Sequence, residues 1–191
     1  MKKIGLFCLC FFFLFVTGCD DQKNLLSGTH HVEIIIKDYG TIKAELDADN
    51  APITVTNFIE LAQNGVYDGL TFHRIIKDFM MQGGDATGTD KESYVTTITG
   101  EFTANKIDNP LTHKRGALSM ARSQAYNSAS SQFFIVQEDS DHLDGKYAVF
   151  GYVTEGMEIV DKICNEIEVT DSNGTVEEEN QPVIETITVI D

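Results

Sequence analysis

Tryptophan is absent from this chain of 191 residues, and basic residues are scarce: 14 Lys and Arg stand against 30 Asp and Glu, a formal net charge of -16. Such a charge repels a phosphate backbone and an anionic membrane surface, which excludes nucleic-acid binding. Cysteine is nearly absent beyond the N-terminus. Cys8 and Cys10 fall in an apolar leader and Cys19 just after it, so Cys164 is left alone and no internal disulfide can form in the remainder. Cys164 follows Met157, Val160 and Ile163 and reads as a small buried hydrophobe, not a nucleophile. No apolar run reaches the roughly 20 residues of a membrane-spanning helix. Metal-binding patterns are missing as well. His30, His31, His73, His113 and His142 show neither helical pairing nor a Cys partner, and no phosphate-binding fingerprint occurs, so neither metal nor cofactor is implied. Asp171-Ser172-Asn173-Gly174 opens like a calcium loop but lacks the remaining spacing and the closing Glu, and reads as a turn. With no internal repeat and no second linker, 42% hydrophobic residues suit one domain with its own core.

What is present begins with the N-terminus. Lys2 and Lys3 precede the uncharged apolar run 4–16, which Val16-Thr17-Gly18-Cys19 follows. Positive start, short apolar core and small residues before a break make 1–18 a signal peptide. Its last four residues resemble the lipobox of bacterial lipoproteins, which would make Cys19 the lipidated residue; an ordinary secretory signal cut nearby is the alternative. Residues 19–31 are polar and without periodicity, a tether. At about 3.5 Å per extended residue a dozen residues reach at most roughly 40 Å, so the domain 32–191 is expected close to the extracytoplasmic face of the cell membrane.

Within that domain, residues 32–36 form a β-branched run and residues 41–46 alternate Ile42, Ala44 and Leu46 against Lys43 and Glu45. Asp38-Tyr39-Gly40 between them supplies turn chemistry, which predicts a hairpin. Asp49 or Asn50 can cap a helix that admits Pro52 in its first turn, buries Val55, Phe58, Ile59 and Ala62, and stops at Gly65. Residues 133–136 and 147–153 read as buried strands, residues 155–164 as a short helix and residues 183–190 as a strand. Many strands, two helices and one core predict a mainly β protein, a closed barrel with helical caps.

Further inference rests on residues met in blocks. Phe72-His73-Arg74-Ile75-Ile76-Lys77-Asp78-Phe79-Met80-Met81-Gln82-Gly83-Gly84-Asp85 resembles the signature of the cyclophilins. Leu118-Ser119-Met120-Ala121, Ser131-Gln132-Phe133-Phe134-Ile135 and Leu143-Asp144-Gly145-Lys146-Tyr147-Ala148-Val149-Phe150-Gly151 resemble later blocks of that family, in its order and at similar spacing. The resemblance runs from about residue 32 to the end. It implies a closed eight-stranded antiparallel β-barrel capped by two α-helices, with a peptide groove on the outer face because side chains fill the interior. It also implies peptidyl-prolyl cis/trans isomerase activity without cofactor; together with the signal peptide, this predicts an enzyme that assists the folding of proline-containing exported polypeptides.

The resemblance carries roles to individual positions. Arg74 would donate to the prolyl nitrogen as the X-Pro bond twists, and Gln82 would steer Arg74. Phe79, Met80, Phe134 and Leu143 would form the apolar floor for the proline ring, and Gln132, Ala121 and Arg122 would contact the peptide, the last two through their main chain. Arg122 replaces the Asn that many members carry. His142 and Tyr147 would also line the groove and contact the substrate; His142 stands where members that bind cyclosporin well have Trp, and Tyr147 where many have His. The loop 123–130 is one residue longer than the common pattern.

Three function classes follow: an active isomerase, expected as a monomer; a non-catalytic proline-peptide-binding chaperone module on the cell envelope, which would not require Arg74; and a barrel lipoprotein carrying a small ligand, which would require a roomy interior.

Overall fold

The computed structural model describes residues 24–191. The expected signal peptide, Cys19 and residues 20–23 of the tether lie outside the described residues. Among the described residues no helix is long and apolar enough to cross a membrane.

The chain runs β1 (Thr29–Ile36), β2 (Gly40–Asp47), α1 (Pro52–Gln63), β3 (Arg74–Ile76), β4 (Met80–Gly83), β5 (Ala117–Met120), β6 (Phe133–Val136), β7 (Val149–Glu155), α2 (Met157–Glu166) and β8 (Ile184–Val189). The expected hairpin is β1 and β2, paired from Thr29 opposite Asp47 to Ile36 opposite Gly40. Its turn places Asp38 and Gly40 at φ of 66° and 123°, which Gly adopts freely and Asp tolerates.

Eight antiparallel strands form one sheet in the order β3-β4-β6-β5-β7-β2-β1-β8. The sheet is open, which corrects the expected closed barrel: its edges, β3 and β8, do not pair with each other. β3 has only three residues, and the chain facing it arrives as the turn 171–174 followed by Pro182, which has no N–H to give a ladder. Isolated bridges, Arg74 to Thr175 and Thr71 to Val183, span the seam instead. Ile75 N–H donates to the Gly174 carbonyl at 2.8 Å, and a side chain at Gly174 would collide with the Ile75 carbonyl oxygen.

Strand alternation sorts the apolar residues into two clusters. Phe133 and Ile135 of β6, Met81 of β4 and Ile75 of β3 point to the inner face and join Phe58 of α1, Phe72 and Phe150 in the main core. Phe58 meets Phe133 edge-on, with ring centroids 5.3 Å apart. The alternate residues, Phe134 and Val136 of β6 with Met80 of β4, form a smaller outer cluster with Ala117 and Val149. Packed residues thus fill the inner face, and the outer cluster is free to floor a groove.

The cap of α1 corrects a second expectation. Neither Asp49 nor Asn50 caps it: Ala51 holds the N-cap position, while the Asp47 carboxylate accepts from the amides of Asp49 and Asn50. The first turn is satisfied from far along the chain. Glu101, 2% exposed, accepts from Ile53 N–H at 3.0 Å and, through its other oxygen, from Thr54 N–H at 2.8 Å and the Thr54 hydroxyl at 2.6 Å. A carboxylate there meets both the unpaired amides and the positive end of the helix. Cys164 is buried and free, and burial pushes its thiol up to about 12.

Candidate active site

A groove of about 250 Å³ lies over the outer cluster, lined by Arg74, Phe79, Met80, Gln82, Ala121, Arg122, Phe134, Leu143 and Tyr147. Short antiparallel pairings bring these side chains together. Arg74 faces Gln82 across β3 and β4, and Gln82 faces Phe134 across β4 and β6, so the three side chains share one surface of the sheet.

The guanidinium of Arg74 is held on two sides. Its Nε donates to the Asn173 carbonyl at 2.8 Å, and its Nη1 donates to Gln82 Oε1 at 3.1 Å and lies 3.9 Å from Met80 Sδ. Gln82 in turn donates from Nε2 to Gln132 Oε1 at 2.9 Å. The Asn173 carbonyl is set by a turn in which the Asp171 carboxylate accepts from the amides of Asn173 and Thr175 and the Thr175 hydroxyl. Those hydrogen bonds, Thr175 foremost, hold the Asp171 carboxyl below its ordinary pKa. The segment that resembled a calcium loop thus buttresses Arg74.

Phe134 is 5% exposed and forms the floor. Tyr147 stands edge-on to it at 6.1 Å, and His113 lies beneath, nearly parallel at 5.9 Å with an interplanar angle of 12°. Gln132 lies just outside, in an adjoining pocket of about 330 Å³ that also includes Gln82, Ala121, Arg122, Ser123, Ser128 and Ser130. His142 lines neither pocket; its exposed ring tilts over Phe79 with centroids 5.5 Å apart. His73 lines neither as well, and its Nδ1 is buried without a hydrogen-bond partner among the described residues.

Two arrangements have no counterpart in the expectations drawn from sequence. Fully buried His113 places Nδ1 at 2.8 Å from Asp144 Oδ1 and Nε2 at 3.0 Å from the Ser119 hydroxyl. With a carboxylate on one side, the neutral ring carries its proton on Nδ1 and accepts from Ser119. Burial lowers the His113 pKa, and Asp144 offsets this in part. The motif around Ser119 was visible in sequence, but its link to His113 was not. Second, the Arg122 guanidinium lies over the rings of Tyr147 at 4.5 Å and of Phe102 and Tyr126 at 5.1 Å each. It donates to the Lys146 carbonyl through Nε and Nη2 and to the Ser123 carbonyl through Nη1. The side chain at 122 therefore builds the groove wall, where only its main chain was expected to matter.

Comparison with known proteins identifies the arrangement. The sequence model of the cyclophilin type peptidyl-prolyl cis-trans isomerase/CLD family matches residues 31–189. The chain is 49% identical over 125 residues to peptidyl-prolyl cis-trans isomerase-like 1 of Rhizopus delemar, covering 65% of this chain and 74% of that protein. It is 44% identical over 133 residues to peptidyl-prolyl cis-trans isomerase B of Bacillus subtilis, covering 69% of this chain and 88% of that one. Among solved structures, a Cryptosporidium parvum cyclophilin type peptidyl-prolyl cis-trans isomerase superposes with a TM-score of 0.72 at 30% identity, covering 86% of this chain and 99% of the other. The same protein was also crystallised in the presence of the dipeptide Ala-Pro, and that structure aligns at 32% identity with a TM-score of 0.71.

Proposed function

Because this chain belongs to the cyclophilin-type peptidyl-prolyl cis-trans isomerases, we propose that Arg74 drives its reaction through a hydrogen bond to the prolyl nitrogen, and that its substrates are exported polypeptides. One observation carries the mechanism: a guanidinium fixed at two of its nitrogens stands at the lip of an apolar floor made by Phe79, Met80, Phe134 and Leu143.

An X-Pro bond must give up its partial double-bond character to rotate, against a barrier of ~18–20 kcal/mol. As it twists, the prolyl nitrogen becomes pyramidal and gains a lone pair able to accept a hydrogen bond. A donor already oriented toward that point stabilises the twisted state more than either planar one. Guanidinium suits the role because it remains charged and its donors form a rigid plane. The floor holds the proline ring while the preceding carbonyl side turns. No bond is made or broken, and no proton needs to move.

Proline-isomer exchange on a short Ala-Pro peptide, followed by NMR, tests this reading. Wild type should accelerate exchange and Arg74→Ala should lose most of that acceleration. A wild type that binds the peptide without accelerating exchange would leave the groove a binding module.

The export reading rests on Lys2, Lys3, the apolar run 4–16 and Cys19. Lipid on Cys19 would tether the domain outside the membrane, where unfolded exported chains emerge. Metabolic labelling with a fatty acid should mark wild type and not Cys19→Ala; equal labelling of both rejects the anchor.

A further inference from the structure

The chain has three arginines, and they are treated differently. Arg115 is neutralised by its own fold: Nη1 and Nη2 donate to the two carboxylate oxygens of Asp161 at 2.9 and 2.6 Å. Arg74 and Arg122, both in the groove, donate only to neutral acceptors, namely the carbonyls of Asn173, Lys146, Ser123 and Gln124 and the amide oxygen of Gln82. Among the described residues, no Asp or Glu lines the groove or the pocket beside it. Asp144, in the turn next to Leu143, keeps its charge but turns its carboxylate to the amide and ring of His113 and is not among the lining residues. In a chain with 30 acidic and 14 basic residues, the substrate surface is therefore a positive island.

Carbonyl dipoles and ring faces stabilise a guanidinium but leave its unit of charge intact. The contacts of Arg122 with Tyr147, Phe102 and Tyr126 also fix where that charge sits, so little side-chain freedom is lost when a partner arrives. Arg122 borders both pockets. Arg122 and Phe134 line the same groove, so an extended peptide with its proline on the Phe134 floor would pass Arg122 close to the proline.

Resting on the isomerase reading, we propose that Arg122 is a specificity-determining residue and that the enzyme prefers prolines flanked by an acidic side chain. The surrounding negative surface sharpens the choice, because it disfavours acidic chains everywhere except at the groove.

Two peptide series test this, with Glu, Gln or Lys placed immediately before the proline or immediately after it, assayed by NMR exchange on the full chain. In the series that faces Arg122, kcat/KM should fall from Glu to Gln to Lys. The span should be about three- to tenfold at low salt, the scale of one unit-charge interaction across roughly 7 Å at a protein surface, and it should shrink at about 0.5 M salt. Arg122→Gln should bring the Glu-to-Lys ratio close to one, whereas Arg122→Lys should keep it above one. A wild-type ratio of one in both series, or an unchanged ratio in Arg122→Gln, overturns the proposal. Should Arg122→Gln not fold, a shift of the Arg122 Nε–H resonance on adding the Glu peptide but not the Gln peptide supports it, and equal shifts reject it. Loss of turnover with every peptide rejects the isomerase reading alone, since titrated affinities for the same peptides still report the charge preference.

Discussion

The carbonyl oxygen of Asn173 accepts a hydrogen bond from Nε of Arg74 at 2.8 Å, across 99 positions of chain, and leaves the far end of the guanidinium to Gln82. The direction of the proposed donor is therefore set by a turn outside the groove.

Removing the donor should be costly to rate and cheap to the fold. Loss of one preorganised donor takes ~3–4 kcal/mol from a transition state, so Arg74→Ala should lower kcat/KM by about 10² to 10³. Arg74→Lys should recover little, because an ammonium cannot address Asn173, Gln82 and a substrate from one plane. Thermal melts of both variants should lie close to wild type; a fully active Arg74→Ala ends the mechanism.

Asp171 reaches the site only through that turn. Asp171→Ala frees the amides of Asn173 and Thr175 and loosens the carbonyl that holds Arg74. A decrease of about three- to tenfold in kcat with KM little changed is expected, since misorientation of a fixed group is felt in the chemical step. An equal effect on KM alone would show that the turn serves binding instead.

Phe134→Ala should damage both properties. The ring is 5% exposed and packs against His113 and Tyr147. Urea titration should show a loss of about 3 kcal/mol, the low end for a buried Phe because the void opens into the groove. Peptide KM should rise as kcat falls.

Glu101 governs the start of α1 from 47 positions away. Glu101→Ala orphans two backbone amides and the Thr54 hydroxyl and should cost about 2–3 kcal/mol. Glu101→Gln should rescue poorly, because one of its two oxygens becomes a donor facing donors. Helix signal recovering later than the rest on refolding would agree; equal stability of wild type and Glu101→Ala would refute the capping role.

His113 should make stability pH-dependent. Its folded pKa is lowered by burial, so between the unfolded value of about 6.5 and the lower folded value the unfolded chain binds more protons. The contribution of the neutral ring is fully present above about pH 6.5 and is lost as pH falls below it. Burial lowers His73 as well, so the diagnostic quantity is the difference between wild type and His113→Gln. Denaturant midpoints of the variant should fall less steeply between pH 6.5 and 5, and parallel slopes would place the titration elsewhere.

The parts of this protein that were legible in sequence are those written in local pattern. Ile34, Ile36, Ile42, Ala44 and Leu46 alternate as a hairpin must, and they are buried as one face of β1 and β2. Pro52 and the apolar spacing after it announce α1, and the groove residues arrive in recognisable blocks. What remained illegible depends on residues that only the folded chain brings together. Glu101 caps a helix it does not adjoin. The rings around Arg122 come from three separate segments, at 102, 126 and 147. Closure of the sheet turned on how the 171–183 segment meets a three-residue strand, and hydrophobic alternation carries no record of that meeting.

An open sheet has two edges, and bare edges recruit extended chains as additional strands. Here β3 is covered, and β8 is covered at its start. Gly174 and Thr175 lie along β3, while Gly69 and Leu70 bond to Ile184 at the start of β8, beyond which Glu185 is exposed. For a peptidyl-prolyl isomerase this matters, because main-chain pairing with a bound peptide would template aggregation. The covered seam leaves the side-chain surface of the groove as the place to grip a peptide, and a peptide held there can be released once its proline has turned.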